Sequence, residues 1–282
     1  VDAATWYLGP AGDIRKLFCP ERDISMNLIR YGGVHQGLSG ARTMDITGYK
    51  YEFGFRWNYM TYADWAWLEA LHTRYLLGPF WLINPLKNNL LTRQSAALQL
   101  STNTTHGVET TNATVTGVLD WPSGVGIPTY SFGIVAAGSG ATVTLDEGLG
   151  FPVIPGETYN VNLYVKNTVS AGTTGTNTFA INWLDADGVL IGTPTQVTLG
   201  QSSSWNQRSL SSVPPAGAVT GFVKMLINTG ATYRLAAPMV NIGASALPWE
   251  IGGAASLVLV DQLSTTSPRF PLTDCALTLL EV

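Results

Sequence analysis

Tyr49-Lys50-Tyr51-Glu52-Phe53-Gly54-Phe55-Arg56-Trp57-Asn58-Tyr59 sets six aromatic residues at every second position. Side chains on a strand alternate between faces, so this spacing puts all six rings on one side and polar or bare residues on the other. A helix would scatter the same rings around its circumference. The stretch is therefore a long β-strand with one buried face. Beyond it, Thr61 is a good N-cap, and Tyr62 to Leu77 reads as one helix with Trp65, Leu68, Leu71, Tyr75 and Leu76 toward a core. Gly78-Pro79 is expected to stop that helix. The apolar run Phe80-Trp81-Leu82-Ile83 then leads into Asn84-Pro85 and Asn88-Asn89-Leu90-Leu91.

Strand, helix and the run GPFWLINPLKNNLL together resemble, over residues 42–93, the N-terminal module of bacteriophage minor tail proteins, including distal-tail-like ones. In that family an aromatic strand precedes a helix rich in Trp and Leu, followed by a G-P-F turn, an apolar strand, a D/N-P step and an N-L-L exit. The resemblance implies an α+β module, a β-sandwich with one helix, that makes ring or trunk contacts in a tail.

Composition changes near residue 94. Residues 1–93 hold ten of the fifteen Lys and Arg, whereas residues 94–250 hold only Lys166, Arg208, Lys224 and Arg234. The middle segment is rich in Thr, Ser, Gly, Asn and Val. Its short apolar-alternating runs, Ala141–Leu145, Tyr159–Val165, Thr178–Leu184 and Val219–Ile227, are separated by turn residues. That is the pattern of an all-β sandwich. Asp187-Gly188 marks a hairpin between two of the runs. Pro155-Gly156 with Tyr159, Trp183 to Gly188, Trp205, and Pro238 to Trp249 follow one another in order. This order resembles the jelly-roll carbohydrate-binding modules of bacterial glycoside hydrolases and of many phage tail proteins. The likeness spans residues 97–250 and implies a jelly roll with Trp183 and Trp205 in its core.

Two further apolar runs, Leu257–Val260 and Ala276–Leu280, are too few for a domain of their own. They either pair with the sheet of the N-terminal module, which makes the jelly roll an insertion, or extend the jelly roll; the first is the expectation adopted. The expected division is residues 1–94 for the tail-assembly module, 95–250 for the jelly roll, and 251–282 for strands completing the first module. The fold class is mainly β.

At 282 residues, with 45% hydrophobic and 12% charged residues, the chain is globular and poor in charge. A net charge of −4 offers no electrostatic footprint for nucleic acid. No apolar stretch approaches the ~20 residues of a membrane span. The chain opens on Val1 with no basic, apolar leader, which predicts a trimmed start and not export. Low charge predicts burial in an assembly, a homo-oligomer that is a hexamer or a trimer. The resemblance to phage tail proteins implies that it lies among other tail proteins in a virion assembled in the bacterial cytoplasm. Cys19 and Cys275 form no C-x-x-C pair and His35, His72 and His106 are scattered, so no metal site or cofactor is expected. Two separate buried thiols are expected; a disulfide is open if the C-terminal strands lie on the N-terminal module.

Catalytic signatures are lacking: there is no G-x-S-x-G, phosphate loop or H-E-x-x-H. Asp185 and Asp187 could share a strand face, but they flank a turn where Asp is locally favoured. Glu147 and Glu157 sit in Gly/Pro-rich loops where the sequence spacing signals no catalytic pair, and His72 reads as a surface or packing residue of the helix. A non-enzyme is expected. Sugar recognition needs flat aromatic faces with amides beside them. The candidates are Trp121, Tyr130, Trp183 and Trp205, with the amides of Asn182 and Asn206 beside them. Trp121, next to Pro122, and Tyr130, in a loop, are the expected exposed ones, whereas Trp183 and Trp205 are expected to serve the core. The chain therefore reads as a structural phage tail-tip or baseplate protein whose jelly roll contacts host glycans. The alternatives are a secreted non-catalytic carbohydrate-binding protein and a purely architectural decoration protein.

Overall fold

A computed structural model of the chain describes residues 5–21, 24–37, 39–45, 48–97, 107–126, 130–138, 140–146, 149–169, 177–269 and 271–282. Glu147 and His106 lie outside the described residues. The chain falls into two compact units, residues 83–255 and residues 5–82 with 256–282.

The smaller unit begins with strands β1 (Tyr7–Gly9), β2 (Arg15–Lys16), β3 (Ser25–Tyr31), β4 (Val34–Gln36), β5 (Arg42–Met44) and β6 (Gly48–Met60). Helix α1 (Tyr62–His72) and β7 (Phe80–Ile83) follow. The larger unit continues with α2 (Arg93–Ala97), β8 (Val108–Thr111), β9 (Ala113–Val118), β10 (Ser131–Ala136), β11 (Ala141–Leu145) and β12 (Phe151–Pro152). Next come β13 (Tyr159–Val169), β14 (Thr178–Leu184), β15 (Leu190–Thr198), β16 (Asn206–Ser212), β17 (Thr220–Ile227) and β18 (Thr232–Ile242). Strands β19 (Ala255–Arg269) and β20 (Leu272–Glu281) complete the chain.

In the smaller unit the sheet runs in the order β2-β1-β7-β19-β20-β6-β3, so the C-terminal hairpin β19–β20 lies at its centre. The aromatic strand is β6. Phe53, Phe55 and Trp57 are buried, and Phe55 stacks on Trp57 at 5.7 Å while Trp6 meets Phe55 edge-on at 5.0 Å. The aromatic face is buried only at its centre, because Tyr49 and Tyr59 are exposed. Tyr59 takes a left-handed φ of 58°, which inserts a bulge between the Trp57–Cys275 and Met60–Thr273 pairs. Met60 consequently takes the next inward place.

The N-cap of α1 is Thr61, whose hydroxyl accepts from the Asp64 amide. Leu68 and Leu71 are buried, with Trp65 and Leu76 partly buried against the same core. The helix ends before the expected Leu77. Thr73 donates its hydroxyl to the Glu69 carbonyl at 2.7 Å, and Arg74 turns left-handed at φ 63°. Tyr75, expected inside, is therefore 86% exposed. Cys19 and Cys275 are both free; Cys19, expected to be buried, is exposed, and burial pushes the Cys275 thiol up to about 11.

The larger unit is a jelly-roll sandwich of a five-stranded sheet, β16-β13-β18-β10-β9, and a six-stranded one with the order β15-β14-β17-β11-β8, to which β12 adds by pairing with β17. Alternation turns Tyr159, Val161, Leu163 and Val165 of β13 inward to meet Phe179, Ile181 and Trp183 of β14. Trp183 is buried as expected and meets Tyr159 edge-on at 5.5 Å and Phe151 at 6.0 Å. Gly221 on β17 makes room for this cluster: a Cβ there would stand 2.6 Å from Phe151 and 2.7 Å from Trp183. Asp185 and Asp187 flank the β14–β15 turn, where the Asp185 carboxylate accepts from the amides of Asp187 and Val189.

Asn89 ties the base of this unit together. It is fully buried, with its side-chain oxygen accepting from Leu91 and Val240 amides and its amide donating to the Pro238 and Glu250 carbonyls. All four capacities of that side chain are used. Alongside it the Asn84 amide donates to the Ala254 carbonyl at 2.8 Å.

Candidate functional site

The sandwich has two outer faces, and its own chain treats them differently. On the five-stranded sheet, the loop after β9 and the loop after β18 fold down over the strands. Trp121 meets Trp249 edge-on at 5.3 Å, and both lie over Ala237 and Met239 with Val125, Tyr164 and Leu247. The Trp121 indole donates to the Val125 carbonyl at 2.6 Å. Gly126 is needed under this lid, since any Cβ there would collide with the Trp249 ring. Beside it, Asp120 accepts from Lys166 at 3.2 Å, from the Trp205 indole at 3.3 Å and from Arg234. Lys166 also stands 5.9 Å over the Trp205 ring. Burial would raise the Asp120 carboxyl, but the hydrogen bonds from Arg234, Lys166 and Trp205 and the Lys166 charge together hold it below its ordinary 3.8.

Two expectations are corrected on this face. Trp121 is not an open platform: it is half-buried, and its ring is engaged by Trp249. Trp205 is not a core residue. It is half-buried just ahead of β16, where its indole N–H finds the Asp120 acceptor that an apolar interior would lack. Tyr130 precedes β10 and is 37% exposed. The β9–β10 register, with Ser131 opposite Val118, places Trp121 and Tyr130 toward the same end of that pair.

Among the described residues, the outer face of the six-stranded sheet is open. A cavity of about 280 Å³ lies on its outer face, lined by Glu109, Thr144, Asp146, Leu184, Phe222 and Lys224 among others. Register explains how distant residues meet there. Thr144 of β11 pairs with Glu109 of β8 on one side and with Lys224 of β17 on the other. Lys224 pairs in turn with Ala180, and Ala180 with Gln196. One row across five strands thus reads Glu109, Thr144, Lys224, Ala180, Gln196. The row beside it reads Thr111, Thr142, Leu226, Thr178, Thr198. Phe222 stands two residues from Lys224 on the same strand, roughly 7 Å along the face, with Asn182 as its partner on β14. The Asn182 side chain is buried and its Nδ2 has no partner.

Asp146 forms the deep wall. Its carboxylate accepts from the Thr92 amide at 3.0 Å and from the Thr92 hydroxyl, at the start of α2. Burial pushes this carboxyl above its ordinary 3.8, against the hydrogen bonds from Ser95 and Thr92. Its oxygens are thus engaged by the fold. Glu109 and Lys224 are exposed, and neither forms an ion pair among the described residues. The face therefore offers a half-buried ring, threonine hydroxyls, one carboxylate and one ammonium. Such a set can seat the C–H face of a pyranose and hydrogen-bond its hydroxyls.

No family model matches the chain, and no curated protein does either. Among solved structures, the enzymatically active domain of bacteriophage CBA120 tailspike protein 4 is similar at 18% identity and a TM-score of 0.44, over 55% of this chain and 21% of that one. This chain thus spans about a fifth of the tailspike domain's length. The xylan-binding domain of Paenibacillus barcinonensis Xyn10C is similar at 17% identity and a TM-score of 0.34, over 51% of this chain and 90% of that one. The C-terminal family 22 carbohydrate-binding module of Clostridium thermocellum Xyn10B is similar at 14% identity and a TM-score of 0.37, over 51% and 91% of the two chains.

Proposed function

We propose that the larger unit is a non-catalytic glycan-binding module that holds sugar on the open face of its six-stranded sheet. The observation that carries this reading is the cavity over Phe222, Thr144, Glu109 and Lys224, on a face that none of the described residues closes over. Its volume is at the small end of ligand sites, which run from about 300 Å³ upward, and suits one or two sugar residues on an extended chain. Binding is weak per copy, near ~1 mM, and gains from multivalent display. The test is a glycan array followed by titration with the full chain and with Phe222→Ala. Loss of stacking lowers affinity by about tenfold. Affinity unchanged in the variant overturns the placement, and binding to no glycan overturns the reading.

We propose further that the smaller unit is an assembly module of a phage tail tip, contacting copies of itself and other tail proteins. The edge strand β3 exposes Leu28, Ile29 and Tyr31, and the β4–β5 hairpin exposes Val34 and Met44. An unpaired apolar edge invites pairing with another chain. Sedimentation of the purified chain is expected to give a closed hexamer or trimer, and Val34→Lys with Met44→Lys to give smaller species. A monomer at high concentration would favour the secreted carbohydrate-binding alternative; an oligomer that binds no glycan would favour the architectural one.

A further inference from the structure

Resting on the glycan reading above, we infer that the open face selects an acidic pyranose, a uronic acid residue, and that Lys224 is the residue that reads its carboxylate. Cations of the larger unit have different fates. Lys166 and Arg234 converge on Asp120, and the Arg208 guanidinium donates to the Leu199 carbonyl at 3.1 Å. Lys224 instead stands in the cavity wall between two short neighbours, Ala180 and Thr144, neither of which carries a charge. Glu109 is two strands away in the same row, roughly 10 Å at the usual strand spacing, and makes no ion pair with it.

An ammonium carries three donors and no acceptor. A neutral sugar seated here would displace water from it and return only hydroxyl dipoles. A carboxylate returns a full opposite charge together with a charge-assisted hydrogen bond. The gap between Lys224 and Glu109 is the span of about one pyranose, with Thr144 beneath it. A ring lying across that gap directs its carboxylate to Lys224 and its hydroxyls to Glu109, which as an acceptor takes donors from a sugar without needing a cation. Phe222, the next outward-facing residue along β17 from Lys224, then meets the apolar face of the ring or of its neighbour in the chain. Glu109 also disfavours a ligand of high negative charge, so a monoanion suits the row better than a phosphate dianion.

The test is titration of the full chain with oligogalacturonate, with an oligomer containing glucuronate, and with the methyl esters of both, which keep the ring and remove the charge. Neutral oligosaccharides from the same array serve as reference. At least one free acid is expected to bind about tenfold tighter than its ester, and the advantage to shrink with added salt. Lys224→Met is expected to reduce the acid-to-ester ratio to about one, and Lys224→Arg to retain most of it. Equal affinity for acids and esters, or an acid preference that survives Lys224→Met, overturns the inference while leaving glycan binding intact. Binding of neither acidic nor neutral oligomers overturns the glycan reading itself.

Discussion

The two outer faces of the jelly roll are built on the same alternation and end in opposite states. The five-stranded face spends Trp121, Trp249 and Trp205 on closing itself, and pins the closure with Asp120 between Lys166 and Arg234. The six-stranded face carries one half-buried ring, Phe222, among threonines and two unpaired charges. Aromatic content is thus a poor guide to which face stays open. Large rings are the most effective lid for a sheet, because each removes much apolar surface from water. A face that must stay accessible does better with short hydroxylated side chains and a single platform.

The contrast is broken most sharply by truncating one aromatic from each face. Trp249→Ala is expected to cost about 3–5 kcal/mol of stability, as for other large buried aromatics, with sugar affinity unchanged in the folded protein. Phe222→Ala is expected to cost less than about 1 kcal/mol. Denaturant melts and titrations on the pair decide it. Comparable stability losses, or loss of binding in the Trp249 variant, would erase the distinction between lid and platform.

A smaller effect sharpens the same contrast through pH. Asp120, on the closed face, has its folded pKa below the ordinary 3.8, so its contribution to stability is complete above that value and fades as the pH falls through the folded pKa. Asp146, on the open face, has its folded pKa above 3.8. Its ionised form is disfavoured by burial, a penalty present in full above the folded pKa and relieved as the pH falls through it toward 3.8. Urea melts from about pH 7 to about pH 3 should therefore show Asp120→Asn and Asp146→Asn departing from the parent with opposite slopes. Slopes of the same sign would show that one of the two carboxylates has been misassigned.

Much of the fold was legible. The alternation of β6, the cap at Thr61, the turn at Asp185–Val189 and the inward Trp183 all follow from local chemistry that needs no partner to be recognised. What escaped is backbone geometry that side-chain pattern does not show. The bulge at Tyr59 is set by pairing with β20, and α1 stops at Thr73 because Arg74 turns left-handed, with Gly78 four residues further on. The open face was barely legible, since Glu109, Thr144 and Lys224 become neighbours only through the register of three strands. One signal was present: Lys224 is among only four cations between residues 94 and 250, and it interrupts an otherwise apolar run. Trp121 drew attention instead, on the strength of the proline beside it.

The hydrogen bond between Asn84 and Ala254 has a consequence for heredity. Strands β7 and β19 are neighbours in the seven-stranded sheet, and the chain between them leaves and returns at nearly one point. The whole jelly roll occupies the place of a hairpin turn. A recombination event that removes or replaces it needs to restore only a short connection, with no strand of the host sheet rethreaded. The jelly roll can therefore be exchanged as a cassette while the sheet that receives it is inherited unchanged.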